Sequence, residues 1–251
     1  MKPDFRTSPP ILLPLAILCG LTVVTQLAGL AYGVAQAGRD VAPVLLPSAL
    51  VLSLVTLPMV WLGLSLGPQT GLGAPRLIDL LDKVPGTGSR LLKSARLAGM
   101  LGLLLGAGMV ALKLALLPYS PPGMPELGFR GPVGSLLVSI AAAVGEEVWF
   151  RLGLMTLLVW SVSRLLGQAE PHPVMMWLII VLTAVAFGMA HLPQLASFDA
   201  ATPFSIWATV LGNCAVGSLY GWCYWRHGLL AAMVAHFSAD FVIHVLPAFS
   251  H

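Results

Sequence analysis

Long apolar runs separated by short polar connections dominate this chain. Seven runs approach or exceed the ~20 residues that a helix needs to cross a bilayer: residues 11–36, 42–66, 95–117, 133–162, 173–191, 203–225 and 229–247. The pattern predicts an all-α polytopic membrane protein with seven transmembrane helices, or eight if one helix escapes the count. We expect residues 1–251 to form a single transmembrane domain.

Two polar interruptions are longer than the others. Residues 67–94 carry several charges, but apolar residues lie among them at 77–81, which indicates a short helix on the membrane surface. Residues 118–132 are rich in proline and glycine and predict a connection made of turns. Neither interruption is long enough to be a second folded domain.

The composition agrees with a membrane class. The chain is 57% hydrophobic and only 9% charged, whereas a soluble domain carries about 25% charged residues. The formal net charge of +3 comes mostly from loop residues, so we predict no nucleic-acid partner. The three cysteines all lie in apolar runs and predict no disulfide framework.

Positive charges give the predicted orientation. With the N-terminus inside, outer segments hold only Arg39 and Arg130. Cytoplasmic loops of membrane proteins carry an excess of Lys and Arg, so we predict an N-terminus on the inner side. The residues predicted to be inside are Lys2, Arg6, Arg76, Lys83, Arg90, Lys93, Arg96, Arg164 and Arg226.

Three ionisable residues lie together near the middle of the fourth run. A charge at the bilayer centre costs about 2.5–3.5 kcal/mol on insertion scales, so such residues normally face a protein interior or a cavity. Residues four apart share a helix face, so Glu147 and Arg151 are predicted to form a structural ion pair. Glu146 lies about 100° round the helix and has no such partner. The sequence therefore offers one spare carboxylate.

Three further apolar runs contain polar side chains. His191 ends the fifth run, one turn after Phe187; Asn213 lies in the sixth; His236 and Asp240 lie four residues apart in the seventh. Each has a plain structural reading: a membrane histidine can be a packing residue, a His–Asp pair can neutralise itself, and Phe187 can be core. Together they favour one shared, hydrated site, because all of these groups need partners within lipid.

These residues resemble three ordered motifs of a known family, the CPBP (CAAX protease and bacteriocin-processing) intramembrane proteases. The resemblance covers residues 133–247, which it marks as a protease-like core in the four C-terminal helices. One departure is that the third motif often ends in Asn, whereas here it ends in Asp240. The motifs read Glu146-Glu147-x-x-x-Arg151, Phe187-x-x-x-His191 and His236-x-x-x-Asp240.

The resemblance implies an intramembrane endopeptidase that acts on a membrane-anchored peptide or protein, prenylated substrates included, in a bacterial cytoplasmic membrane. Glu146 would activate a water that His191 holds. His236 would face the developing oxyanion, with Asp240 orienting its ring or, if protonated, donating directly. Phe187 would pack the site.

A metal is left open at this point. No compact metal motif such as HExxH is present, so we predict no tightly bound structural metal and no firmly assigned cofactor. A catalytic zinc would take Glu146, His191 and His236 from separate helices. The helix rise of 1.5 Å per residue raises a difficulty, because it places Glu146 and His236 roughly 10–12 Å above the inner face and His191 roughly 27 Å above it.

Two other functions fit parts of the pattern. The same helices could form a scaffold or immunity-type partner that binds another membrane protein without any chemistry at Glu146. Buried Glu, His and Asp also form proton relays in transporters. The chain shows no obvious inverted repeat of its halves, which disfavours a transporter.

Overall fold

The computed structural model describes residues 11–168 and 170–250. Within these residues the protein is all-α, as predicted, and contains no strand. Lys2 and Arg6, two of the cations predicted to be inside, lie outside the described residues. The helices are α1 (Leu12–Gln36), α2 (Ala42–Leu66), α3 (Pro75–Leu81), α4 (Thr87–Leu116), α5 (Gly131–Glu146), α6 (Thr156–Leu165), α7 (Pro173–Ala190), α8 (Leu192–Ser197), α9 (Pro203–His227) and α10 (Leu229–Asp240).

Six helical segments in the described part of the chain are long and apolar enough to cross a membrane. They begin at Leu12, Ala42, Thr87, Gly131, Pro173 and Leu229. The seventh predicted span corresponds to α9, which has 25 residues but is not one of the six. Its serines, glycines, tyrosines and Asn213 lower its mean hydropathy. Each of the seven predicted spans therefore corresponds to a helical segment of the described residues, and six of the seven are apolar enough to cross a membrane.

The short helix and the turn-rich connection are both present where the pattern predicts them. The short helix α3 lies between α2 and α4, and one of its apolar residues, Leu77, is buried. Residues 120–130 contain turns but no helix. The third span is longer than predicted, because α4 already begins at Thr87.

The helix that carries the three central charges is not a regular α-helix throughout. Between α5 and α6, Glu147–Met155 adopts a π-helix, so the whole unit runs from Gly131 to Leu165 without a break. A π-helix has i→i+5 hydrogen bonds and is often found at functional sites. Here the backbone N–H of Thr156 donates to the carbonyl of Arg151. A second π-helical segment, Phe241–Val245, follows α10.

Glycines allow the C-terminal helices to approach closely. A Cβ on Gly102 of α4 would lie 2.3 Å from the carbonyl oxygen of Ala235 in α10, and one on Gly106 would lie 2.8 Å from that of Ala239. In α9, a Cβ on Gly221 would lie 3.0 Å from Ile180 of α7. Small residues at four-residue spacing are the usual means by which membrane helices make contact.

One end of the bundle is closed by a buried hydrogen-bond network. The Tyr224 hydroxyl of α9 accepts a bond from the backbone N–H of Gly73 at 2.8 Å and shares one with the Thr156 hydroxyl at 2.6 Å. Gly73 has φ +87°, a conformation that suits glycine. The connection between α2 and α3 is thereby fixed to the core of the bundle.

The first two helices pack around the central unit. The Gln26 amide of α1 donates to the carbonyl of Ala141 at 2.9 Å, and the Trp149 indole donates to the Thr56 hydroxyl of α2 at 3.0 Å. Each bond satisfies a polar group that lipid could not. These contacts hold α5 and the π-helix in place from one side, while α7, α9 and α10 pack on the other.

Candidate functional site

A cavity of about 450 Å³ lies within the bundle. Its walls come from the last turns of α4, the 120–130 connection, α5, the end of α7 and the nearby halves of α9 and α10. Four of the side chains predicted to form the site line it: Glu146, His191, His236 and Asp240. Asn213 and Phe187 line it as well.

Below the cavity, Glu147 and Arg151 are completely buried, with Oε1 and Nη1 3.2 Å apart. Nη1 makes no aligned hydrogen bond, so the contact is chiefly electrostatic. Nη2 donates to the carbonyl of Gly217 at 2.9 Å. The guanidinium carbon lies 4.9 Å from the ring centre of Phe187 and 5.4 Å from that of Tyr220. Two aromatic faces and one carboxylate thus surround the charge of Arg151.

Glu147 also binds the histidine of α10. His236 Nδ1 lies 2.8 Å from Glu147 Oε1, and because a carboxylate accepts, Nδ1 carries the proton. The Tyr220 ring stacks on the imidazole at 4.4 Å with an interplanar angle of 14°. The hydrogen bond on Nδ1 comes from Glu147, which is 89 residues away in the chain, whereas Asp240 approaches the other ring nitrogen, and its role in orienting the ring stays a prediction.

The other imidazole nitrogen faces the cavity. His236 Nε2 is 3.7 Å from Glu146 Oε2 and 3.7 Å from Asp240 Oδ2. These distances exceed a direct hydrogen bond and suit groups that contact a common third partner. The side chain of Glu146 is 24% exposed, whereas that of Glu147 is 0% exposed. Of the two adjacent glutamates, only Glu146 can reach a molecule in the cavity.

His191 enters the cavity from the end of α7. Its Nδ1 donates to the carbonyl of Phe187 at 2.8 Å, which leaves Nε2 as an acceptor in the neutral ring. Phe187 is buried, and its ring meets both imidazoles edge-on, at 4.8 Å for His191 and 6.0 Å for His236. The sequence placed His191 well above Glu146 and His236. In the structure the bond to the Phe187 carbonyl turns the His191 side chain back along α7, and the Phe187 ring contacts both imidazoles.

Sequence reasoning overlooked four residues of this region. Tyr220 covers the His236 ring, and Lys113, Arg130 and His244 line the same cavity. A signal for Tyr220 was available, since it lies between Gly217 and Gly221 in a helix already noted for its glycines. Lys113 had one too, as a cation inside an apolar run.

The described residues offer no set of three or more His, Cys, Asp and Glu side chains arranged to hold a metal ion. Glu146 and His236 lie close enough to share a ligand, but no contact joins His191 to that pair. The absence of a structural metal therefore stays a prediction, as does the zinc set of Glu146, His191 and His236.

Comparison with known proteins supports the resemblance seen in the motifs. Residues 128–242 match the family model described as Rce1-like, type II CAAX prenyl endopeptidase Rce1-like. The match includes all three motifs and excludes α1, α2 and α4. This is a family of proteases, which supports enzyme activity here. Searches of curated proteins and of solved structures gave no match.

Proposed function

We propose that this chain is an intramembrane endopeptidase that hydrolyses a peptide bond in a membrane-associated peptide or protein. The observation that carries the proposal is the meeting of Glu146, His236 Nε2 and Asp240 at the inner end of one cavity, with 3.7 Å from the imidazole nitrogen to each carboxylate. Because the matched family is described as a prenyl endopeptidase, prenylated peptides are among the substrates to test.

Glu146 is the proposed general base. It accepts a proton from a water molecule whose oxygen attacks the carbonyl carbon of the scissile bond. His191 Nε2 accepts the second hydrogen bond of that water, because its Nδ1 is already committed to the Phe187 carbonyl. A positioned base of this kind contributes about 10²–10⁴-fold in rate.

His236 is the proposed oxyanion donor. In its imidazolium form Nδ1 donates to Glu147 and Nε2 donates to the negatively charged oxygen of the tetrahedral intermediate. The intermediate then collapses: the C–N bond breaks, and the proton held by Glu146 passes to the leaving amine. Asp240 lies on the Nε2 side, so in its protonated form it would be a second donor to the same oxygen.

Glu147 and Arg151 do not contact the substrate in this proposal but hold His236 in position. The carboxylate fixes the tautomer and tilt of His236, and the guanidinium balances the charge of that carboxylate. A buried carboxylate that binds a histidine nitrogen in this way sets ring orientation in many enzymes. The pair thus has a positioning role in the proposal as well as a structural one.

The proposed orientation places the cavity on the outer side of the membrane. The described inner cations, such as Arg76, Arg164 and Arg226, lie at the helix ends opposite the cavity. Under the positive-inside rule, the substrate bond is then reached from outside. Glu126→Cys in the cavity-side connection should react with a membrane-impermeant maleimide in intact cells, and Ser89→Cys should not. The reverse result would overturn the orientation but not the chemistry.

The direct test of the proposed function is Glu146→Ala. Cleavage of membrane-associated peptides, or the cellular phenotype of a deletion, should be lost at matched protein level. Asp82→Asn, an exposed carboxylate beyond α3, is the control and should keep wild-type activity. If Glu146→Ala retains full function, the protease proposal fails and a scaffold that needs only the helices takes its place.

A further inference from the structure

Two cations line the cavity in addition to the groups of the proposed reaction centre. Lys113 belongs to the last turn of α4, and Arg130 immediately precedes α5. Both side chains are partly buried and line the same cavity as Glu146 and His236. The proposed mechanism uses neither of them.

Neither cation has a counter-ion in contact. Among residues 11–168 and 170–250, no carboxylate lies within ion-pairing distance of Lys113 or Arg130. Lys113 Nζ donates to the carbonyl of Pro125 at 3.2 Å, and the Arg130 guanidinium lies 4.2 Å over the Phe129 ring. These contacts fix the two side chains without placing a carboxylate against either positive charge.

The charge pattern of the cavity is accordingly uneven. Three carboxylates face it, namely Glu126, Glu146 and Asp240. Glu126 is exposed, and the other two share His236. Burial lowers the pKa of Arg130, and the charge of Asp240 acts in the opposite direction. His244 lines the same cavity and is within electrostatic reach of both Lys113 and Arg130.

We infer that Lys113 and Arg130 form a subsite for a carboxylate of the peptide substrate. Partly desolvated cations bind an anion more strongly than exposed ones, because water competes less. A substrate whose scissile bond lies at Glu146 and His236 would extend through this same cavity, so the anion belongs to a flanking part of the peptide. The inference rests on the proposed function, since that function makes the occupant a substrate.

A bilayer phosphate could satisfy the same two cations. The lining of the cavity favours the peptide, because Lys113 and Arg130 line the same cavity as the proposed catalytic residues. These are Glu146, His191 and His236. Residues that merely extend toward the membrane surface would show no preference for a peptide acid. Binding of a lipid phosphate, and extension of the two side chains toward the membrane surface without a ligand, each predict a binding result that differs from the one expected for a peptide carboxylate.

The test compares two dodecanoyl pentapeptides of the same sequence, one with a free terminal carboxylate and the other with a carboxamide. Their binding to the full-length protein in phosphatidylcholine nanodiscs is measured for wild type, Lys113→Gln/Arg130→Gln and the control Arg39→Gln. Arg39 is an exposed cation between α1 and α2 that does not line the cavity. We expect the acid to bind wild type and Arg39→Gln about ten-fold more tightly, and the double variant to show no preference.

Equal affinities for acid and amide in wild type, including no detectable binding of either, would overturn the inference. So would a preference that disappears when phosphatidylglycerol is added to the nanodiscs, because the cations would then hold a lipid headgroup. The same comparison on Glu146→Ala separates the two proposals. Binding requires no cleavage, so a preference for the acid can persist even if the Glu146→Ala test overturns the protease proposal.

Discussion

The first three membrane-spanning helices and the last three differ in how far they are buried. In the most apolar stretch of α1, α2 and α4, 17%, 22% and 11% of residues are buried, against 44% in each of the three later spans. All the charged groups that line the cavity, except Lys113 and Glu126, lie at or after Arg130. The comparison shows that the costly charges occur where the surrounding protein is dense enough to hold them.

The helix α4 combines the two behaviours. Its Gly102 and Gly106 contact the backbone of α10, while Leu103 and Leu104 on other faces are 45% and 71% exposed. One side of α4 therefore supports the site-bearing helix and the other meets lipid. Within α4, the contrast between buried and exposed residues is therefore a contrast between faces of one helix.

The largest expected effect falls on the later helices. Glu146→Ala and His191→Ala should each lower the rate of peptide cleavage by about 10²–10⁴-fold, because each removes a group that handles the attacking water. Residues that act as a unit are strongly non-additive, so the double variant should be little slower than either single one. Rates of purified protein at matched concentration provide the measurement. Multiplied effects in the double variant would show that the two residues work independently.

The second effect contrasts a buried ion pair with an exposed one. Glu147→Gln leaves Arg151 buried without its carboxylate, and breaking such a pair typically costs about 3–5 kcal/mol. The matched control is Asp79→Asn, which removes a pair with Arg90 whose side chains are 42% and 57% exposed. Exposed pairs contribute about 0–1 kcal/mol. Thermal melts in detergent should show a large fall in Tm only for Glu147→Gln, and equal melts would contradict the assigned pair.

The third effect tests the packing difference with the same substitution on two helices. Gly102→Ala would place a Cβ 2.3 Å from the carbonyl oxygen of Ala235, and such overpacking costs about 1–3 kcal/mol. Gly20→Ala in α1 meets nothing within 4 Å and should leave stability unchanged or slightly higher. A lowered Tm for Gly20→Ala, or an unchanged one for Gly102→Ala, would remove the distinction between a glycine that contacts a neighbouring helix and an exposed one.

The smallest expected effect concerns metal. Activity should be unchanged after dialysis against a strong chelator, because Glu146 can serve as base without a metal and no compact metal motif is present. Elemental analysis of the purified protein accompanies the assay. Stoichiometric zinc, with activity lost on its removal and restored on its return, would replace the glutamate scheme by a metal-dependent one.

Much of the fold follows from the hydropathy pattern, because a bilayer allows few backbone structures. The apolar runs predict the long helices, and the mixed segment at 77–81 predicts α3. The π-helix at Glu147–Met155 was not predicted, since i→i+5 bonds depend on packing against neighbours such as Thr156 and Tyr224. The backbone near Glu147 therefore departs from the regular helix assumed.

The candidate site was predictable as a set of residues but not as a set of contacts. The i,i+4 spacing predicts that Glu147 lies beside Arg151, and the order of the three motifs predicts that His236 belongs to the same site. Nothing in the local pattern reveals that Glu147 binds His236, because that contact depends on how α10 is placed against α5. The same limit applies to Lys113, whose approach to the site depends on the fold of the 120–130 connection.

The network formed by Tyr224, Thr156 and Gly73 has a consequence for the permeability of the membrane. In the proposed orientation the cavity, whose walls carry ionisable groups, opens toward the outer side, and these buried groups lie toward the opposite end of the bundle. Where water fills a vestibule, the membrane voltage falls across the remaining closed layer, at about 2.3 kcal/mol per charge for each 100 mV. We therefore expect the layer around Tyr224 to sustain most of that electrical difference and to keep the ionisable cavity walls from conducting protons between compartments.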